Sequence, residues 1–378
     1  MLRRIIGFTV FLFLFAAITY YIGWNLSLFL SSLGVDQHVW MWIVVSFLSL
    51  SYLIAMALIR LWGGLPVRLF KLAASYYLAV IEFLILLLPL ANLGWLIAAA
   101  AGVERENYNE AAGWSVLLLL VLLLVWGSRN AWSPIVRHFN LHVDKHVPGR
   151  ESLTLLAASD IHLGDIVGKR HLSRLVSISK ELQPDLILLA GDVIDDSVKP
   201  FIRQNMAEVI SQLKAPLGTY AVLGNHEYYG GHISEYTAKM ADAGIPVLQD
   251  QVVQTGGLYI AGRKDKTAEA MSAEGRISTA ELLSQADASA PIFLMDHQPY
   301  GFAQAAEAGA DLLLCGHTHR GQFAPNHLVT RRLFELDWGY MRKSALHVLV
   351  SSGFGSWGPP IRLFSRSEVL LVTFTFKK

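Results

Sequence analysis

Four long apolar stretches in the first 130 residues constrain the fold of this 378-residue chain more than any other feature. A helix that crosses a bilayer needs about 20 predominantly apolar residues. We place the stretches near residues 5–30, 39–62, 72–101 and 111–126, and the fourth is the shortest. The first follows "MLRR" but is longer than the apolar region of a signal peptide and lacks a small-residue cleavage pattern, so we expect a retained helix.

The short flanks of these stretches predict their orientation, because positively charged residues stay on the cytoplasmic side. Two connections, "SSLGVDQ" and "GVERENYNE", carry one arginine against four acidic residues. The basic residues lie at the opposite ends of the stretches, at Arg3, Arg4, Arg60, Arg68, Lys71, Arg129 and Arg137. The sequence therefore predicts a multi-pass protein of the plasma (inner) membrane whose soluble part is cytoplasmic.

Charge and cysteine content exclude some classes of function. Up to Ser128 the chain has six basic and five acidic residues, which leaves 25 of each beyond it. This balance gives no electrostatic footprint for nucleic acid. The single cysteine, Cys315, excludes an intramolecular disulfide and a cysteine-based metal cage. The oligomeric state is left open.

From about Leu153 the chain alternates short apolar runs with amphipathic stretches. The runs "LTLLAASD", "DLILLAGD", "TYAVLGN", "PIFLMDH" and "DLLLCGH" have the length and composition of buried strands. Between the first two, "GKRHLSRLVSISKELQPD" has apolar residues at helical spacing. These patterns predict an α-helical membrane domain at 1–130, a linker at 131–151 and an α/β domain at 152–378.

Metal-capable side chains follow each of the five predicted strands. In chain order they are Asp160 and His162, Asp192 and Asp195, Asn225 with His226 and Glu227, His297, and finally His317 and His319. Each motif alone has an ordinary structural interpretation, such as a turn aspartate, a helix cap or a hydrogen-bonded histidine. Because the carboxyl ends of strands in an open α/β sheet form the ligand site, we expect the whole set to converge.

The series "SDIHLG", "GDVID", "GNHE", "DH" and "GHTHRGQ" resembles the motif set of the calcineurin-like metallophosphoesterases. The resemblance extends from about Leu153 to the end of the chain, and "SSGFGSWGPPIRLFSRSEV" is similar to the tail of a membrane-associated bacterial branch. It implies a two-sheet αββα sandwich with two divalent metals at the strand ends, which activate water for attack on phosphorus.

Carried over residue by residue, the resemblance implies two sets of ligands and one catalytic histidine. Asp160, His162, Asp192 and His319 would hold one metal, and Asp192, Asn225, His297 and His317 would hold the other. His226 would assist the leaving group or the transition state. Imidazole, carboxylate and amide ligands suit Mn, Zn or Fe better than an all-oxygen Ca or Mg site.

Several further residues have weaker assignments. Asp195 and Glu227 are expected to orient histidines or loops, and Gly191, Gly224 and Gly316 to allow close backbone approach. Arg320 replaces the family's common glycine and either contacts substrate phosphate or points to solvent. Arg362 either binds substrate phosphate or forms an internal ion pair.

Residues 323–343, "FAPNHLVTRRLFELDWGYMRK", interleave basic and aromatic side chains. Such a mixture suits the headgroup region of a membrane, so the segment is either an edge that rests on the bilayer or an ordinary loop with a hydrophobic anchor.

Two functions from different classes follow. The first is a membrane-anchored phosphoesterase acting on a phosphate ester or diphosphate, including that of a lipid or a nucleotide-linked lipid. The alternative is a membrane sensor or scaffold that binds metal or ligand without turnover. Retention of every expected ligand and of His226 favours the enzyme.

Overall fold

A computed structural model describes residues 2–36 and 38–378, and the side chains of residues 2–4 are not included. The side chains of Arg3 and Arg4, which contribute to the charge argument above, therefore lie outside the described residues. The chain divides into two compact units, Met1–Trp126 and Gly127–Lys378. We call them the membrane unit and the sandwich unit.

Four helices account for the apolar stretches, and all four are long and apolar enough to cross a membrane. They are α1 (Leu2–Ser32), α2 (Val39–Trp62), α3 (Leu65–Ala100) and α4 (Arg105–Trp132). The prediction of four helices is confirmed, although α3 begins earlier than predicted and α4 is longer at both ends. In α4 the helix continues through "RENYNE", where Glu106 in the first turn interacts favourably with the helix dipole.

Twelve strands form two six-stranded sheets in the sandwich unit. The strands are β1 (Ile135–His146), β2 (Ser152–Ala158), β3 (Leu186–Ala190), β4 (Thr219–Val222), β5 (Val247–Leu248), β6 (Gln251–Thr255), β7 (Leu258–Gly262), β8 (Ile292–Met295), β9 (Leu312–Cys315), β10 (Gly339–Lys343), β11 (Leu346–Val350) and β12 (Glu368–Lys377). One sheet has the order β1-β12-β2-β3-β4-β5 and the other β10-β11-β9-β8-β7-β6.

Shorter helices connect and cover the strands. They are α5 (Lys169–Leu182), α6 (Val198–Arg203), α7 (Ala207–Ile210), α8 (Asn225–Gly230), α9 (Ile233–Asp242), α10 (Ala268–Met271), α11 (Thr279–Leu283), α12 (Phe302–Glu307) and α13 (His327–Leu333). A 3₁₀ turn covers His319–Gly321. Helix α5 confirms the amphipathic helix predicted between the first two strands, and its Leu172 and Leu175 are buried.

Residues 131–151, predicted as a linker, are instead part of the sandwich unit. They contain the end of α4 and the whole of β1, which pairs in parallel with β12. The apolar residues Phe139, Leu141 and Val143 alternate along β1 and pack into the core between the sheets. This short alternation between basic and polar neighbours is the sequence signal for β1, which lies at the edge of its sheet.

Three apolar layers hold the sandwich unit together. Leu155, Leu188, Phe293, Leu314 and Phe374 belong to the layer between the two sheets. A second layer lies between the first sheet and α5 to α9, and a third between the second sheet and its helices α11 and α12. Since a buried leucine or phenylalanine contributes roughly 1.5–3 kcal/mol, these layers fix the sheets rigidly. The predicted αββα sandwich is confirmed.

All five predicted strands are present as β2, β3, β4, β8 and β9. Within each sheet these strands run parallel to their neighbours in the set, so their carboxyl ends lie at one edge. Backbone hydrogen bonds join the segments that leave those ends, from Asp160 N to Gly191 O and from Gly316 N to His297 O. The expected convergence of the strand ends follows from this topology.

Candidate metal centre

The strand ends bring the predicted ligands into two clusters with neighbouring ligand atoms. In each cluster, one ligand atom from every residue lies within 4.8 Å of the others. The first cluster consists of Asp160, His162 and His319, and the second of Asp192, His297 and His317. All six side chains are buried except that of His317, which is half-buried.

In the first cluster, the imidazoles of His162 and His319 and the carboxylate of Asp160 lie close together. His162 Nε2 lies 3.0 Å from His319 Nε2, and His319 Nε2 lies 3.5 Å from Asp160 Oδ1. Asp160 is held by the backbone N–H of His317 at 2.9 Å and by the hydroxyl of Ser159 at 2.5 Å. A shared cation would use the lone pairs that these nitrogens direct at each other.

In the second cluster His297 Nε2 lies 3.0 Å from Asp192 Oδ2, and His297 Nδ1 donates to the carbonyl of Ala190 at 2.7 Å. That donation fixes the tautomer and leaves Nε2 for a ligand bond. Asn225 joins the same group, because its Oδ1 lies 2.7 Å from His317 Nδ1. The carboxylate, imidazole and amide donors are therefore all present.

Three buried imidazole nitrogens make no well-aligned hydrogen bond among the described residues: His162 Nδ1, His297 Nε2 and His327 Nδ1, of which the first two belong to the clusters. A buried polar atom without a partner costs about 1–3 kcal/mol. His297 Nε2 is directed into the second cluster, so a cation there would remove its deficit. This donor set fits divalent transition metals of the Mn, Zn or Fe type.

Electrostatic interactions keep the carboxylate of Asp192 ionised. Burial raises the pKa of Asp192, but His297, His162 and His226 lower it by more, so the pKa falls below its ordinary value. Burial, His162 and Arg362 lower the pKa of His319. An ionised carboxylate and a neutral imidazole are the forms that bind metals.

His297 behaves in the opposite way. Burial lowers its pKa, but Asp192 and Asp160 raise it well above the ordinary value. A proton on His297 thus supplies the positive charge that these two carboxylates attract. A metal cation at the same place would replace that proton.

The backbone at the site has unusual dihedral angles. Asp160, His162, Asp192, His317 and His319 all have positive φ, between 50° and 74°. Residues other than glycine seldom adopt this conformation, and it is concentrated at functional sites because the surrounding structure must hold it. The layers of the sandwich unit provide that support.

Three glycines make the close approach possible, as expected. A Cβ on Gly191, whose φ is +85°, would lie 2.6 Å from His297 Nδ1. Cβ atoms on Gly224 and Gly316 would overlap the carboxylates of Asp192 and Asp160. Any side chain at these positions would therefore displace a ligand.

His226 lies beside the first cluster, with its ring 4.7 Å from that of His162. Its backbone N–H donates to Asp192 Oδ1 at 2.9 Å, and its Nδ1 lies 2.7 Å from Asp196 Oδ1. Burial lowers the pKa of His226, but Asp196, Asp192 and Asp195 raise it to about 9. Asp196 was not among the predicted site residues, although its position directly after Asp195 in "GDVIDDS" was a signal.

Glu227 and Asp195 occupy supporting positions. Glu227 accepts the backbone N–H groups of Asp192, Ile194 and Gly224 at 3.1, 3.0 and 2.7 Å, and so ties two strand ends together. Burial and the nearby Asp192 raise the pKa of Glu227 to about 8. Asp195 Oδ1 lies 3.6 Å from His162 Nδ1 and 3.8 Å from His226 Nδ1.

The two arginines assigned to substrate lie in different surroundings. Arg362 is fully buried, and its guanidinium Nη2 lies 3.1 Å from His319 Nδ1 and donates to the carbonyl of Gly355 at 2.6 Å. Burial lowers its pKa to about 10, although Glu368 and Asp160 act in the opposite direction. The guanidinium carbon of Arg320 lies 4.0 Å from the centre of the Trp338 ring. Arg362 thus makes internal contacts, and Arg320 packs on an aromatic ring.

Comparison with known proteins matches this site to a family. The family profile described as calcineurin-like phosphoesterase matches residues 153–321, which include every residue of both clusters. A Danio rerio protein described as a transmembrane protein with metallophosphoesterase domain is 31% identical over 353 residues, 89% of this chain and 80% of that protein.

Two bacterial proteins are also similar, and both are described as uncharacterized metallophosphoesterases. That of Aquifex aeolicus is 30% identical over 264 residues, 69% of this chain and 99% of that protein. That of Helicobacter pylori is 26% identical over 355 residues, 91% of each. The Danio rerio and Helicobacter pylori alignments are longer than the sandwich unit, so they extend into the membrane unit.

Proposed function

The chain belongs to the calcineurin-like phosphoesterase family, and on this premise we propose that it hydrolyses a phosphate ester or diphosphate with two divalent metals. It is a membrane protein and a phosphoesterase by family. The observation that carries the two-metal proposal is the position of Asp192 Oδ2, which lies 3.0 Å from His297 Nε2 and 3.9 Å from His162 Nε2. One carboxylate thus borders both clusters.

We assign the first cluster with Asp192 to one metal, and the second cluster with Asn225 to the other. Two buried clusters that adjoin one ionised carboxylate support this assignment. The donor set supports Mn, Zn or Fe as the metals. Bound metals of this kind orient a phosphoryl oxygen, lower the pKa of a water molecule and offset negative charge in the transition state.

His226 is the proposed catalytic side chain. Asp196 lies 2.7 Å from Nδ1, which orients the ring and leaves Nε2 for the substrate. From there a protonated imidazole would give its proton to the leaving oxygen as the bond to phosphorus breaks. Glu227 and the three close-approach glycines keep the loops of the site in place.

Hydrolysis assays on metal-stripped protein test this proposal. Purified protein in detergent would be given Mn, Zn, Fe or Mg and assayed with bis(p-nitrophenyl) phosphate and p-nitrophenyl phosphate. We expect metal to restore turnover in the wild type, and Asp192→Asn to reduce it by roughly 10³-fold or more, because the change weakens both clusters and the electrostatic stabilisation that they provide.

A matched control is Asp242→Asn, which removes an exposed carboxylate on α9 whose partner is Lys239. It should leave turnover unchanged. Full activity of Asp192→Asn would refute the assignment. Two bound metals per chain without turnover of either substrate would favour the sensor or scaffold.

The charge distribution around the spans supports a cytoplasmic sandwich unit at the plasma membrane. A phosphoesterase needs fewer than four spans for simple anchoring. The four candidate spans therefore support a substrate that is itself in the membrane, namely a phosphate-containing lipid or a nucleotide-linked lipid. Fusion of a reporter that is active only in the cytoplasm to Lys378 tests the orientation. An active reporter is expected, and one active only outside the cytoplasm would reverse it.

A further inference from the structure

An exposed apolar surface lies beside the metal centre. On α13, Leu328, Val329 and Leu333 are 54%, 57% and 66% exposed, and none of the residues of this helix is buried. Trp357 and Phe364 are 59% and 68% exposed. We call these five residues the apolar rim. A grouped set of large exposed apolar side chains usually marks a binding surface.

The apolar rim is one structural feature, because hydrogen bonds and stacking join its parts. The ring of Phe364 stacks on that of His327, the first residue of α13, at 5.6 Å. Gln322 donates to the carbonyl of Trp357 at 2.9 Å and accepts from the backbone N–H of Leu363 at 3.1 Å.

The apolar rim also borders the proposed catalytic residue. The ring of Trp357 lies 6.2 Å from that of His226. Phe334, the residue directly after α13, has its ring centre 6.0 Å from that of His317. A surface that binds at the apolar rim would therefore lie next to His226 and His317.

The last turns of α4 contact the segment that carries Phe364. Gly127 and Asn130 belong to the sandwich unit and hydrogen-bond to the backbone of Arg362, at 2.9 and 3.1 Å. Gly127 has no room for a Cβ, which would lie 2.6 Å from Ile361. The segment that ends in Phe364 is thus fixed against the last turns of a helix whose apolar run ends at Trp126.

The length of α4 is sufficient for its last turns to reach the headgroups of a bilayer. Its 28 residues span roughly 42 Å, which covers the hydrocarbon core of about 30 Å and reaches the headgroups. The residues after Trp126 include Arg129 and Trp132, and both types are common at the membrane surface. Phe364 is therefore held against residues expected at headgroup level.

The two charged residues on α13 itself are both arginines. Arg331 and Arg332 are exposed on α13 between its apolar residues, and the helix has no acidic residue. A cytoplasmic leaflet is anionic and attracts basic side chains. Apolar side chains with adjacent arginines are the combination that binds the interface of such a bilayer.

We propose that the apolar rim docks into the surface of an anionic lipid bilayer, with Arg331 and Arg332 at the headgroups. The proposal rests on the proposed function in two respects: the anionic leaflet follows from the proposed cytoplasmic orientation, and docking would place His226 next to the phosphate of a lipid. A protein partner or a second copy of the chain is an alternative occupant that the test distinguishes.

The test measures lipid contact in the full-length chain. Its single cysteine, Cys315, is buried, so a cysteine introduced at the surface can be labelled selectively. Leu328→Cys and Met271→Cys form a matched pair, since both side chains are large, apolar and 54% exposed and Met271 lies outside the apolar rim. Each would carry an environment-sensitive fluorophore in nanodiscs of phosphatidylglycerol and phosphatidylcholine containing spin-labelled lipid.

We expect spin-labelled lipid to quench the label at position 328 at least threefold more than the label at 271. Arg331→Glu with Arg332→Glu should reduce quenching at 328 in anionic nanodiscs and leave it unchanged in nanodiscs of phosphatidylcholine alone. Equal quenching at both positions would refute docking. A label at 328 that is shielded from solvent but not quenched by lipid would indicate a protein occupant and would also refute it.

The same samples separate this proposal from the proposed function. Turnover of bis(p-nitrophenyl) phosphate by the labelled protein without quenching at 328 would refute docking and leave the phosphoesterase intact. Quenching at 328 without turnover of any substrate would support docking and count against the enzyme.

Discussion

The two clusters of the candidate metal centre adjoin the same carboxylate, that of Asp192. They differ in the group that contacts the Nδ1 atom of one of their histidines. Behind His297 in the second cluster lies a neutral acceptor, the carbonyl of Ala190, at 2.7 Å. Behind His319 in the first cluster lies a buried cation, Arg362, at 3.1 Å. A carbonyl behind an imidazole increases its basicity as a ligand, whereas a cation decreases it. We therefore expect the second cluster to bind its metal more tightly.

The strongest test of this difference in metal affinity is to remove one imidazole at a time, and it should have the largest effect on turnover. His297→Gln and His319→Gln should each lower turnover by at least roughly 100-fold, the upper end of the effect of losing a supporting partner. Elemental analysis of the purified variants should find about one metal per chain. The remaining metal should dissociate at a lower chelator concentration from His297→Gln, and the reverse order would contradict the comparison.

Arg362→Met tests the group behind the first cluster. Loss of the cation that lies 3.1 Å from His319 Nδ1 should make this imidazole a stronger ligand, so the metal concentration that gives half-maximal turnover should fall about 10-fold. A general loss of folding would instead raise that concentration or abolish turnover. The control is Arg150→Met, where the arginine pairs with Asp185. An unchanged metal requirement in Arg362→Met would show that Arg362 does not weaken His319 as a ligand.

Asp196→Asn should have a smaller effect that depends on the leaving group. His226 loses its orienting carboxylate at 2.7 Å, so proton donation to a poor leaving group should weaken about tenfold. Turnover of p-nitrophenyl phosphate, which needs little help, should change much less than that of phenyl phosphate. Equal losses for both substrates would contradict the role of His226 as the acid.

The smallest effect is expected where neither cluster is touched. Burial raises the pKa of Asp185, but hydrogen bonds from Thr154 and the neighbouring Arg150 lower it below its ordinary 3.8. Its contribution to stability is therefore full above that value and is lost as the pH falls through the folded-state pKa. Asp185→Asn should cost about 0.5–1 kcal/mol at pH 7. Thermal unfolding should show that the difference from wild type shrinks in acid and that metal content is unchanged.

Local sequence patterns were sufficient for most of the fold. The spans depend on length and apolar content, and the five central strands on continuous apolar runs, so both could be predicted without knowledge of tertiary contacts. Strand β1 could not, since an edge strand with a short alternation resembles a linker until β12, more than 200 residues later, pairs with it. The ends of α4 also extended into polar sequence that composition does not assign to a span.

In the candidate site, too, some features could be predicted from the sequence and others could not. Residue types and their order predicted which side chains would gather, because parallel strands bring their carboxyl ends to one edge. Asp196, behind His226, was missed because its role depends on which of several adjacent acids faces the ring. The surroundings of Arg362 could not be predicted either, because its burial and its contact with His319, 43 residues away along the chain, depend on tertiary packing.

The sequence by itself determined the four apolar helices, the α/β class of the second domain and the identity of the clustered side chains, since these depend on local composition, periodicity and strand order; the two-sheet sandwich was implied by the family resemblance. The tertiary structure alone decided what stands behind each ligand, which loop packs on the end of α4, and which apolar residues stay exposed beside the site. The physical reason is that burial and contact are properties of pairs of distant segments, and a single stretch of sequence does not contain its partner.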